Sequence, residues 1–219
     1  MRRFLHKLRS LCRDETGVAL TEFATVAPVF LTLGLLGFEI ALMASSKMRA
    51  SQVATSLADN ASRLGQTDNS GVTPTITEAD VEAVLRGALR QGRTIDLEEN
   101  GRIILTSLEY DDYTGKQFIH WQRCMGSADY SSAYGDENGS NGLNGTTLDG
   151  MGRGSGLVTA PRGEAVMYVE VYYEYGGVFS GQFGRDNTFT EEAAFIVRDD
   201  RALGNSDEKG ISGTASNEC

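Results

Sequence analysis

The feature that most constrains this chain is an apolar stretch of 27 residues near its N-terminus, from Val18 to Ala44. The stretch contains no Lys or Arg and only two acidic residues, Glu22 and Glu39. A bilayer core about 30 Å thick needs about 20 helical residues, so we expect a membrane-spanning helix with one or both acids near the interfaces. A carboxylate within a membrane helix is costly and usually marks a function. Glu22 therefore needs an explanation that a plain anchor does not provide.

The charges that flank the stretch predict its orientation. Five Lys or Arg residues precede it, whereas Lys47 and Arg49 follow it. The positive-inside rule places the N-terminus in the cytoplasm and the C-terminal domain in the periplasm, with one pass through the inner membrane. Two alternatives stay open. A cleaved secretory signal would have a shorter apolar region that ends at an A-x-A-like site, and residues 41–44 lack that spacing. Simple anchoring without processing is the other.

The start of the apolar stretch carries a recognisable motif. A basic leader ends at Gly17, and four residues, beginning with Val18, separate Gly17 from the pair Glu22-Phe23. This arrangement resembles the cleavage motif of type IV prepilins. Further along, Pro28 and the triplet at 37–39 (Gly-Phe-Glu) are similar to the TadE-like pseudopilins of the tight-adherence (Flp, type IVb) pilus system.

The resemblance implies a route of maturation. A prepilin peptidase would cut after Gly17 on the cytoplasmic side and make Val18 the new N-terminus. Glu22 would then be the fifth residue and would pair with the N-terminal amine of a neighbouring subunit. Phe23, Pro28 and Glu39 occupy positions of the same signature and are candidate assembly residues. For Glu39, a solvated charge at the outer interface remains an alternative.

The function that the resemblance implies is that of a minor pilin-like subunit. Such a subunit would assist assembly of the pilus or enter the fibre. Its implied partners are the prepilin peptidase, other pilin and pseudopilin subunits, the inner-membrane assembly platform and membrane lipid. The competing hypothesis is an unprocessed single-span membrane protein whose periplasmic domain binds or scaffolds other proteins.

The rest of the chain predicts a small periplasmic α+β domain. We divide the chain into a leader (1–17), a transmembrane helix (18–44), a helical continuation outside the membrane (45–65), a head (66–203) and a flexible tail (204–219). The head is predicted to hold an antiparallel sheet packed on helices, which is a pilin-like fold class. Its predicted elements are a helix over 78–91 behind a Thr77–Asp80 capping box and strands over 102–110, 116–123, 164–175 and 188–198.

A loop rich in Gly, Ser and Asn, residues 126–161, separates the second and third predicted strands. Loops of that length are often functional, and its acidic segment 136–142 invites a calcium interpretation because calcium prefers oxygen ligands. The segment fails the spacing of an EF-hand loop, so we expect a solvated loop and no bound metal or cofactor.

The cysteines are consistent with a domain outside the cytoplasm. Cys12 would leave with the leader, and Cys124 and Cys219 remain. Many type IV pilins close a C-terminal loop with a disulfide, so the resemblance implies a bridge between these two. Two free thiols are the alternative. The spacing of the cysteines suggests no metal site.

Charge and histidine content exclude other function classes. Beyond Ala44 the chain has 15 basic and 26 acidic residues, a net charge of −11, which argues against nucleic-acid binding. The only histidines are His6, in the leader, and His120, on a predicted strand next to Trp121. Cys124 lies four residues from His120, too far along one strand for a direct bond. We therefore do not expect an enzyme.

Overall fold

The computed structural model describes most of the chain beyond the leader. The described residues are 16–65, 75–154, 156–177, 187–198, 201–203, 210–215 and 217–219. Of the predicted leader (1–17), only Thr16 and Gly17 are among the described residues. The chain divides into two compact units, Met1–Met43 and Ala44–Cys219.

The first unit consists, in its described part, of the beginning of one long helix, α1 (Thr16–Ser62). Its large apolar side chains are exposed, and the helix is long and apolar enough to cross a membrane. The helix continues through Pro28. Threonine hydroxyls donate hydrogen bonds to carbonyls of their own helix, as Thr32 Oγ1 does to Pro28 O at 2.7 Å. These internal bonds satisfy polar groups that lipid would leave without a partner.

The second unit begins with the remainder of α1, which buries one narrow stripe. The buried apolar residues recur at alternating steps of three and one and are mostly alanine: Ala50, Val53, Ala54, Leu57, Ala58 and Ala61. A second helix, α2 (Glu78–Gln91), supplies Val81, Leu85 and Leu89 to the same core. Its start is the predicted capping box, with Thr77 and Asp80 bonded reciprocally. This helix and its cap are thus confirmed.

An antiparallel sheet of four long strands forms the body of the second unit. Its strand order is β3-β2-β4-β5. The strands are β2 (Gly101–Asp111), β3 (Lys116–Met125), β4 (Ala165–Glu174) and β5 (Thr188–Ile196). A short parallel pair joins β1 (Ile76–Thr77) to β6 (Ile211–Ser212), and a 3-10 turn (Gly92–Ile95) and a short helix α3 (Leu97–Asn100) precede β2. The predicted α+β class and the four strands are confirmed.

A bulge in β3 places two of its large apolar residues on opposite faces of the sheet. Ser107 pairs with Trp121 and Leu108 pairs with Ile119, so His120 is the extra residue. Trp121 consequently packs in the core beneath α1 and α2, whereas Ile119 packs in a cluster on the opposite face. A bulge of this kind reverses the alternation of side chains along a strand.

The segment 126–161, which we predicted to be a solvated loop, is exposed or half-buried over most of its described length but is seated on the sheet by a few buried residues. Met151 is fully buried, Leu148 and Ala160 are buried, and the three pack against the sheet face that carries Ile119. Met151 and Val158 exchange backbone hydrogen bonds of 2.9 and 2.7 Å. The physical reason is that an apolar sheet face needs a cover, and this segment provides it as a third layer.

The tail, 204–219, which we predicted to be flexible, is attached to the sheet at its end. Cys124 N donates to Asn217 O at 2.8 Å, and the backbones of Glu218 and Arg123 form an isolated antiparallel β-bridge. These bonds lie along the outer edge of β3. An uncovered edge strand is a template for unwanted pairing, and the tail covers this one.

Candidate functional site

The predicted cleavage segment lies at the beginning of α1. Gly17 and Val18 are in the first turn of the helix, and both are exposed. Among the described residues, no atom beyond the local helix backbone lies within 4 Å of the position that a Cβ would take at Gly17.

Glu22 and Phe23 lie one turn further along α1. Phe23 is 72% exposed, and Glu22 is exposed as well. In the described part of the chain no basic group pairs with the Glu22 carboxylate. Its surroundings along the helix are apolar, so in lipid the charge would be costly without a cation supplied by another molecule.

Glu39 is placed differently from Glu22. It is half-buried, and its Oε2 atom is shielded from solvent with no hydrogen-bond partner among the described residues. The two acids are 17 residues apart, which is about 26 Å along a helix. They therefore form two separate features. Pro28, which is exposed, lies between them.

The head contains a buried ion cluster that the sequence did not reveal. Arg123 is 1% exposed, and its guanidinium binds Glu78 through Nε at 2.9 Å and Nη2 at 2.5 Å. Its Nη1 donates to Glu137 Oε2 at 2.7 Å and to Gln122 O at 2.6 Å. Burial alone would lower the pKa of Arg123, but the two carboxylates outweigh it and the pKa is raised. The guanidinium thus links α2, β3 and the loop while fully charged.

A second buried carboxylate fixes the loop on the sheet. Glu170 on β4 is fully buried and accepts hydrogen bonds from Ser132 Oγ at 2.5 Å, Ala133 N at 3.1 Å and Tyr172 Oη at 2.9 Å. Burial raises the pKa of Glu170, and these hydrogen bonds oppose the rise. The loop backbone is therefore held by a polar contact as well as by its apolar residues.

A third polar group lies on the face of the sheet that the helices cover. Ser107 Oγ and His120 Nδ1 bind the two carboxylate oxygens of Glu109, each at 2.8 Å. In a hydrolase triad the serine donates to the histidine, whereas here Ser107 donates to the carboxylate. All three residues are buried. This geometry serves packing and does not place a nucleophile beside its base.

Arg201 closes the C-terminal end of α1. Its Nη2 donates to Ala61 O and Leu64 O, each at 2.9 Å, and so satisfies carbonyls that a helix end leaves free. Burial lowers the pKa of Arg201 to about 10, against the attraction of Glu109. The guanidinium attaches the segment after β5 to the end of α1.

A comparison with protein families found a match in the N-terminal part of the chain. The model of the TadE-like protein family matches residues 17–63. This segment is similar to TadE-like proteins. The match includes Gly17, Glu22 and Glu39 and ends just beyond α1, so it does not extend to the sheet. The family is related to pili and is not an enzyme family. Searches of curated proteins and of solved structures gave no match.

A disulfide joins Cys124 on β3 to Cys219 at the C-terminus. The Sγ–Sγ distance is 2.02 Å, and the two residues are 95 positions apart in the chain. The bridge lies next to Arg123, so the tail and the ion cluster meet on one strand. The pilin resemblance implied a bridge between these two cysteines, but it gave no indication that the bridge lies beside a buried ion cluster.

Sequence reasoning missed Arg123, Glu78, Glu137 and Glu170. The only local signal was a charged residue within a strand that also carries large apolar residues, as for Arg123 between Trp121 and Met125. Its partners are 45 and 14 residues away. No periodicity connects residues at such distances, so the pairing was not predictable.

Proposed function

We propose that this chain is a minor pilin-like subunit that assists assembly of a tight-adherence (Flp, type IVb) pilus. The observation that carries the proposal is the exposed Glu22, which pairs with no described basic group, at the start of an apolar helix that the TadE-like family matches. A carboxylate in that position is stabilised once a second subunit brings a cation to it.

The proposal assigns a role to each residue of the motif. A prepilin peptidase cleaves after Gly17, and the new amine of Val18 is a cation at the end of the helix. The amine of one subunit pairs with Glu22 of its neighbour. Phe23, Pro28 and Glu39 shape the helix surface on which other pilin or pseudopilin subunits and the assembly platform pack.

The head supports a location in the periplasm, anchored to the inner membrane by α1. A disulfide persists in an oxidising compartment and is rare in the cytosol. The net charge of −11 beyond Ala44 favours solubility there and disfavours docking on anionic lipid.

Replacing Glu22 by glutamine tests the assembly role. We expect the variant to reach the membrane at the wild-type level but to be depleted from sheared pili, or to reduce the number of pili, because its neutral amide no longer attracts an amine. Immunoblots of membrane and sheared fractions, with pilus counts by electron microscopy, measure both quantities.

A matched control lies on the same helix. Thr32→Val removes a hydroxyl that bonds only within the helix, so it should leave assembly unchanged. If Glu22→Gln assembles as well as wild type and Thr32→Val, the chain acts instead as an anchored scaffold that needs no carboxylate in its helix.

A further inference from the structure

The sequence contains four Asn-Gly dipeptides, at Asn100, Asn138, Asn141 and Asn144. In such a pair the backbone nitrogen of the glycine can attack the side-chain Cγ of the asparagine. Ammonia leaves and a succinimide ring forms, which water then opens to aspartate or isoaspartate. Glycine permits the reaction because no Cβ hinders the attacking nitrogen. The four sites share this chemistry, so any difference among them in the folded protein must come from the structure.

We propose that Asn144 is a site of spontaneous deamidation in the folded protein and that the structure protects the other three. Asn144 is exposed, and no described group bonds to its side-chain amide. Among the described residues none accepts a hydrogen bond from the Gly145 N–H. Both reacting groups are therefore free, and water is the only co-reactant.

Asn138 is protected at its attacking nitrogen. The Gly139 N–H donates to Asp136 Oδ1, and the same oxygen accepts from Asn138 N at 3.0 Å. The turn must open before Gly139 N can reach the Asn138 Cγ. Asn138 and Asn144 are both exposed, so the hydrogen bond from the Gly139 N–H is what distinguishes the two sites.

Asn141 is protected at its side chain and its backbone. Its Oδ1 accepts from Leu143 N at 3.1 Å and from Asn144 N at 2.9 Å. Its backbone oxygen accepts from Ile119 N at 2.8 Å, which attaches it to the edge of β3. The attacking residue, Gly142, is buried.

Asn100 is protected by the elements on either side of it. It ends α3, and both its backbone nitrogen and its Nδ2 donate to Asp96 O, at 3.0 and 3.4 Å. Its glycine, Gly101, is buried and begins β2 opposite Tyr173. Rotation of the Asn100 side chain toward Gly101 N would break these contacts.

The net reaction at Asn144 replaces the amide NH2 by an oxygen from water and releases one ammonia. It adds a negative charge to the loop that covers the sheet. The isoaspartate product also inserts an extra methylene into the backbone there. No oxidant, reductant or enzyme is required.

Incubating the full chain in detergent at mildly alkaline pH tests the proposal. After reduction and digestion, mass spectrometry with fragmentation gives the rate at each asparagine, in native and in urea-unfolded protein. In urea we expect the four sites to react at comparable rates. In the native protein Asn144 should react within about fivefold of its unfolded rate, and the others at least about fivefold more slowly than Asn144, since each must first open a hydrogen bond. Equal native rates at Asn144 and Asn138, or a strongly slowed Asn144, would overturn the proposal.

A variant separates the effect of the hydrogen bond from that of loop position. Asp136→Ala removes the acceptor that holds the Gly139 N–H. Deamidation at Asn138 should then accelerate by about fivefold or more, with the rate at Asn144 unchanged. An unchanged rate at Asn138 in a folded variant contradicts the protection that we assign to this bond.

Discussion

Replacing Arg123 by methionine should lower the free energy of unfolding by about 3–5 kcal/mol, because Glu78 and Glu137 would remain buried without their shared cation. The guanidinium makes three hydrogen bonds to these carboxylates. It is almost completely shielded from water, so solvent cannot replace it. Methionine preserves most of the side-chain volume, and the loss therefore reports on charge more than on a cavity.

Urea unfolding of the detergent-solubilised chain measures this change. Trp121 is the only tryptophan and is buried in the core beneath the helices, so its fluorescence reports on the head. Arg153→Met is the matched control, since Arg153 is 58% exposed and pairs with Glu192 at the surface. We expect the control to cost about 0–1 kcal/mol. If Arg123→Met lowers the free energy of unfolding no more than the control does, the ion cluster contributes little to stability.

Replacing Cys219 by serine should cost the head about 4–5 kcal/mol. The bridge to Cys124 closes a loop of 95 residues, and opening it restores that much chain entropy to the unfolded state. The variant also frees the tail from the edge of β3, where Cys124 N donates to Asn217 O. We therefore expect exposure of that edge as well as lower stability.

The same unfolding experiment, with and without a reductant, tests the bridge. Reductant should bring wild-type protein down to the stability of Cys219→Ser and leave the variant unchanged. Equal stability of oxidised wild type and variant would mean that the bridge does not stabilise the head. Since Arg123 and Cys124 are adjacent, we expect the two substitutions together to be non-additive.

Local signals in the sequence predicted the elements of the head well. The capping box at Thr77 and the apolar spacing after it gave the helix over 78–91 with the bounds that the structure shows. The four strands were predicted to within a few residues, because alternating apolar residues and turns specify them locally. The motif around Gly17 and Glu22 is equally local, and it led to the TadE-like resemblance that the family comparison supports.

The remaining features depend on contacts between distant residues. The 126–161 segment is rich in Gly, Ser and Asn, and a few residues such as Met151 provide the apolar surface that seats it on the sheet. The tail is polar, and its order comes from Cys219 and from backbone bonds to β3. Composition describes neither effect, so both segments were predicted as solvated or flexible.

The most direct test of the pilin-like account is the intact mass of the protein from its native membrane, measured beside a Gly17→Ala variant. The account predicts a mature chain that begins at Val18 in the wild type, and a full-length chain in the variant, because a side chain at that position obstructs the peptidase. A full-length chain in both would contradict the account and leave an unprocessed, membrane-anchored protein with a periplasmic domain.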